Sequence, residues 1–342
     1  MSYDVMGRIV EAMSSVAGSR TPAPTPDVTA QTCAPARGRP RTARLLDWRV
    51  RFAVLSLIWG FSFLFIKVGT DAFAPLQVTL GRMVFGTAVL GAVLVAKRER
   101  LPRSPGTWGH LLVAAFLLNA LPFSLFAYAE LTIPSTLAGI CNATTPLFSM
   151  VLSVVALQED RPSRRRFAGV GIGFVGVLIV LGAWQGFSGQ DPRGTALALI
   201  AASSYAVGWI YVRRTLSSAD GSSLSLSAGQ LLVGTVQLAA VTPLFTSMPA
   251  SFPLASVTSV VALGALGTGF AFLVQYGLVK EAGPTIATMV TYIVPVIATA
   301  AGVFLLGEHL SWNEPAGALV VLAGAAIAQS RPGRRAAGNG QP

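Results

Sequence analysis

Residues 80 to 87 read LGRMVFGT, and residues 228 to 235 read AGQLLVGT. The two stretches share a frame of Gly, Gly and Thr displaced by 148 residues, with Gln230 standing where the first has Arg82. Both lie inside long apolar runs. The pair therefore raises two questions: what a guanidinium does among apolar side chains, and why its surroundings are written twice.

The runs define the class. Of 342 residues, 53% are hydrophobic and only 11% charged, where a soluble domain carries about 25% charged residues. Apolar segments near 52–69, 75–96, 108–129, 135–157, 167–184, 194–212, 224–247, 254–279, 284–306 and 313–329 each approach or exceed the about 18 residues that cross a bilayer. The expected fold is an all-α polytopic membrane protein of ten transmembrane helices. Residues 1–48, rich in Pro, Thr, Ala and Arg, are expected to be a disordered basic tail, with no apolar core that would make them a secretory signal.

Charge placement orients the helices. All but three of the 25 basic residues fall in the N-terminal tail, the C-terminal tail of 331–342 and alternate loops, among them Lys97, Arg98, Arg100, Arg103, Arg164, Arg165, Arg213, Arg214 and Lys280. The exceptions are Lys67, Arg193 and Arg82. Because cytoplasmic loops collect Lys and Arg, both termini are expected in the cytoplasm. The +11 net charge follows from this asymmetry and does not call for a nucleic-acid partner. Two cysteines, Cys33 and Cys141, are too few for a disulfide framework and match no metal spacing. No metal site or cofactor is expected.

The echo extends along the chain. Gly81, Gly86, Thr87, Tyr128, Gly169 and Gly176 recur 148 residues later as Gly229, Gly234, Thr235, Tyr276, Gly317 and Gly324. Pro146 and Glu159 recur at 149 as Pro295 and Glu308. The expected repeats are 49–186 and 193–330. Each holds five spans, an odd number, so the second enters the membrane upside down. Two inverted five-helix repeats are a design of secondary transporters, whose site lies near midplane between the halves.

The residues here resemble a known family, the EamA-type transporters of the drug/metabolite transporter superfamily. The resemblance rests on LIWGFSFLFIK (57–67), GRMVFGT, Tyr128-Ala129, Pro146 followed by LQED, and GEHLSWNEPAGALVVLAG (307–324), and it covers roughly residues 50 to 330. It implies ATP-independent export of small metabolites or toxic compounds across a bacterial inner membrane.

Polar residues within the spans are the site candidates, because a charge at a helix centre costs roughly 2.5–3.5 kcal/mol on insertion scales. Arg82 either faces a water-filled cavity and attracts an anion, or clamps two helices together. Gln230 keeps the matching place polar. Asn119 and Asn142 follow, the latter because Pro146 removes the donor that would reach its carbonyl; Pro295 is expected to kink its own helix in the same way. Trp59, Tyr205, Trp209, Gln275 and Tyr276 complete a candidate wall for a small-molecule substrate. Glu130, at the outer end of span three, is the candidate for coupling, whereas Glu159 and Glu308 read as helix-end caps. With no carboxylate at a span centre, facilitated exchange and proton antiport are both admissible. Spans five and ten, the least polar and rich in glycine, are expected to support the core or form a homodimer contact.

An intramembrane enzyme is the weaker alternative, since no G-x-S-x-G or H-E-x-x-H and no pair of midplane aspartates occurs. A pump lacks its phosphate loop. A channel or a non-transporting scaffold is the nearer alternative, though it has less need of the duplication than a transporter.

Overall fold

A computed structural model describes residues 47–156, 164–182, 191–217 and 219–329. The N-terminal tail up to residue 46, Glu159, Trp184 and the C-terminal tail lie outside them. Among the described residues all regular structure is helical. In the order of the chain we label α1 Trp48–Thr70, α2 Pro75–Ala96, α3 Pro105–Ala129, α4 Ser135–Asn142, α5 Thr145–Ala156, α6 Arg164–Val180, α7 Pro192–Thr215, α8 Ser223–Phe245, α9 Leu254–Ala282, α10 Pro284–Leu306 and α11 Asn313–Gln329. Eight helical stretches are long and apolar enough to cross a membrane, the pair α4 and α5 counting as one, and α6 and α11 are shorter apolar helices. Helices are what such a sequence must form, since lipid offers backbone N–H and C=O groups no partner.

Three features differ from the expectation. The first helix begins at Trp48 and takes in Arg49 and Arg51, residues assigned on their charge to the tail or its edge; Arg51 pairs with Glu281 of α9 at 3.5 Å, which offsets the cost of extending the helix past its apolar run. The fourth span is two helices, broken at Ala143 and Thr144. Pro146 removes a backbone donor there, and the Thr144 hydroxyl donates to the Cys141 carbonyl at 2.6 Å. Pro295, by contrast, lies inside the continuous helix α10.

The third feature is a pair of wide turns with i to i+5 hydrogen bonding. Phe116–Ala120 in α3 and Ala265–Phe270 in α9 are both π-helical, and their first residues stand 149 positions apart, on the spacing of the sequence repeat. Such segments commonly mark functional sites.

Packing repeats on the same spacing. Helix α1 lies against α9 and α10, while α7 lies against α3 and against α4 and α5. Helix α2 lies against α8 and the π segment of α9, while α8 lies against α3 and its π segment. Finally, α6 packs on α11. There the glycines meet one another: a Cβ on Gly176 would stand 2.5 Å from the Val321 nitrogen, and one on Gly324 would meet the Gly169 carbonyl at 2.6 Å. The glycine stripe expected to serve either the core or a dimer is thus spent inside the chain, on backbone approach between these two helices.

Helix ends are tied across the repeats. The Glu308 carboxylate accepts from the backbone N–H groups of Ser135 at 2.7 Å and Thr136 at 3.0 Å, capping α4 as the sequence suggested and satisfying donors a helix start leaves free. Gly307, at φ +66°, takes the left-handed turn that swings Glu308 back, a conformation glycine adopts without Cβ strain. Asp191 caps α7, accepting from the N–H groups of Arg193 and Gly194 at 3.1 and 3.2 Å.

Candidate functional site

Arg82 comes from the middle of α2 and is 8% exposed. Its Nε donates to the Thr268 hydroxyl in the π segment of α9 at 2.9 Å. The hydroxyl in turn donates to the Leu263 carbonyl at 3.2 Å. Across the guanidinium lies Phe123 of α3, whose ring centroid is 3.5 Å from Cζ, a cation–π contact that offsets desolvation without a counter-ion. Phe123 and Phe126 flank Tyr205 of α7, with centroids 6.4 and 6.2 Å away and the second pair stacked. One hydroxyl therefore takes one of the five guanidinium N–H groups, and among the described residues no carboxylate bonds to the others.

The echo of this arrangement is Gln230. Its Nε2 donates to Asn119 Oδ1 in the π segment of α3 at 2.6 Å. Position 230 is 148 beyond 82, and 268 is 149 beyond 119, so the two bonds are the same bond in the two halves. The Asn119 amide nitrogen, Nδ2, is buried without a partner among the described residues. The glycine contacts repeat as well: Gly86 is in contact range of Gly264 and Thr268, and Gly234 of Ala115 and Asn119. The two copies adjoin, because Phe123 of the Arg82 cluster sits one turn beyond Asn119 on α3.

The structure thus joins Arg82 to Tyr205 and Asn119 to Gln230. Asn142 ends α4 at the helix break and is half-buried. Trp59 packs against the apolar cluster that holds Leu55 and Phe63. Trp209 and Tyr276 are 51% and 39% exposed and Gln275 is half-buried; among the described residues none of the three bonds to the Arg82 cluster. Thr268 and Phe123 were not singled out from the sequence. Thr268 had a signal, being the repeat counterpart of Asn119. Phe123 had none, as one of 18 phenylalanines.

Glu130 follows α3 directly and is completely buried, 0% exposed. Both carboxyl oxygens lack a hydrogen-bond partner among the described residues. Its backbone carbonyl accepts from Lys67 Nζ of α1 at 2.5 Å.

Comparison with known proteins places these features. The profile of the EamA-like transporter family matches residues 50–182 and again 192–329. The chain is 29% identical over 266 residues to the uncharacterized inner membrane transporter YedA of Escherichia coli (strain K12), covering 75% of this chain and 82% of YedA. It is 25% identical to the uncharacterized transporter YoaV of Bacillus subtilis, over 79% of this chain and 92% of YoaV, and 26% identical to protein PagO of Salmonella typhimurium, over 78% and 88%. A solved crystal structure superposes with a TM-score of 0.59 at 23% identity, over 82% of this chain and 96% of that one, a likeness of fold. With two copies of the family domain spanning most of its length, the chain belongs to the EamA-like transporter family.

Proposed function

We propose that the protein is a secondary transporter exporting small metabolites, amino acids or related compounds foremost, across a bacterial inner membrane by alternating access. Ten crossing segments form two inverted five-helix halves, and both termini face the cytoplasm. The observation that carries this reading is the doubled polar bond, Arg82 to Thr268 and Gln230 to Asn119. A site built from equivalent places in two inverted halves meets both sides of the membrane in turn when the halves rock.

Within that site Arg82 supplies the charge. Spare guanidinium donors beside the rings of Phe123 and Tyr205 suit a ligand with a carboxylate at one end and an apolar or flat remainder. Toxic amphipathic solutes would use the aromatic wall alone. Counterflow exchange of labelled amino acids in proteoliposomes tests the reading. Excess unlabelled amino acid is expected to compete, and the corresponding amino-acid amide, without the carboxylate, to fail. Equal competition by both would remove Arg82 from substrate recognition, and no exchange above empty vesicles would sink the transport reading for this substrate class.

A further inference from the structure

Three acids stand around the junction of α3 and α4, and two of them are engaged. Glu308, from the turn after α10, holds the Ser135 and Thr136 N–H groups. Asp191, at the head of α7, holds those of Arg193 and Gly194 and has the Thr132 hydroxyl beside it. Among the described residues Glu130 alone of the three has no donor on either carboxyl oxygen, although it is the most deeply buried.

Two cations lie within electrostatic reach of it. Lys67 of α1 spends its ammonium on the backbone carbonyls of Glu130 and Ile133. Arg82 of α2 lies within electrostatic reach, with its Nε on Thr268. An ionised carboxylate buried without a donor costs several kcal/mol, and such a group takes up a proton instead. The geometry points to Glu130 as an exchangeable cation site beside Arg82, holding a proton when the transporter is empty and the ammonium of a zwitterionic amino acid when it is loaded. The inference rests on the reading of Arg82 as the carboxylate position.

The chemistry balances. The substrate carboxylate goes to Arg82, its ammonium to Glu130, and the Glu130 proton leaves to water. When Glu130 is next protonated the ammonium loses its partner and the zwitterion is released. One proton then enters for each zwitterion that leaves, because the two compete for one carboxyl group. Substrate and proton binding are linked with opposite sign, and the linkage is reciprocal.

The test is amino-acid flux in proteoliposomes under an imposed pH gradient, native protein against Glu130→Gln, with infrared titration of both proteins without substrate. Native protein is expected to drive the amino acid against its own gradient, opposite to the proton flow, and to prefer a free amino acid over its N-acetyl form by roughly tenfold or more, the scale of one charge-assisted bond. Glu130→Gln is expected to lose both the response to the pH gradient and the preference, and to lack a protonated-carboxyl stretch that the native spectrum carries. Native exchange indifferent to the gradient overturns the inference and leaves the Arg82 reading standing. If native protein exchanges no amino acid, the Arg82 reading fails, and a spectrum without the Glu130 band overturns the proton site as well. Should Glu130→Gln not fold, Glu130→Asp replaces it; it is expected to keep a pH response with a displaced midpoint, and an unaltered midpoint overturns the assignment.

Discussion

The hydroxyls of Thr87 and Thr235, residues 148 apart in the chain, are hydrogen-bonded to each other at 2.8 Å. They occupy the same place in LGRMVFGT and AGQLLVGT. A residue that bonds its own repeat counterpart sits where the two halves meet, so this bond marks the contact of α2 with α8 about which the Arg82 and Gln230 bonds are paired. The Thr235 hydroxyl also reaches the Leu231 carbonyl at 2.8 Å, which directs its proton there and leaves Thr87 as donor.

That contact is open to direct measurement. A protein carrying Thr87→Cys and Thr235→Cys, with Cys33 and Cys141 replaced by serine, is expected to form an intramolecular disulfide under mild oxidation. Thr87→Val and Thr235→Val should each cost about 1 kcal/mol in unfolding, and the double variant little more than one of them, as for any pair sharing one bond. Additive costs would show that the hydroxyls do not bond.

Close approach of α6 and α11 predicts a sharp difference among glycines. Gly176→Leu or Gly324→Leu forces a side chain into backbone and should lower stability by about 1–3 kcal/mol or more. Gly91→Leu, where a Cβ meets nothing within 4 Å, should leave thermal unfolding in detergent within a degree or two of native. A Gly176→Leu protein as stable as native would refute the packing.

Asp191 predicts an acid-side loss of stability. The Thr132 hydroxyl, then the Arg193 and Gly194 N–H groups, hold its carboxyl below the usual carboxylate range. A carboxyl lowered on folding stabilises the fold above its unfolded value, about 3.9, and that contribution fades as pH falls through the lower folded value. Melting temperatures of native and Asp191→Ala proteins should therefore differ at pH 6, and the difference should shrink as pH falls below the unfolded value of about 3.9. A difference that stays constant through the whole acid limb would contradict the cap.

Much of this was legible in the sequence because lipid leaves a chain few options. Apolar length gave the helices, and the spacing of 148 gave the pairing of Arg82 with Gln230. The break before Pro146 was legible too, yet the equivalent Pro295 stays within a continuous helix. A physical reason lies two residues earlier: the Thr144 hydroxyl donates to the Cys141 carbonyl at the end of α4, while its counterpart Ile293 has no hydroxyl to do so. The π segments were invisible, since FLLNA and ALGTGF share no composition that marks a wide turn. The aromatic partners of Arg82 were hidden for a similar reason. Which phenylalanine lies over the guanidinium depends on the approach of α3 to α2, and α3 carries several.

The measurement that bears most directly on the account is counterflow exchange of the labelled amino-acid panel by native protein and by Arg82→Gln, the residue that the second half already carries at position 230. Loss of one charge-assisted contact to the substrate carboxylate should weaken exchange at limiting substrate by roughly 10- to 150-fold, with folding and vesicle insertion matched to native. Exchange by Arg82→Gln at the native rate would reduce Arg82 to a clamp between α2 and α9 and contradict the central claim.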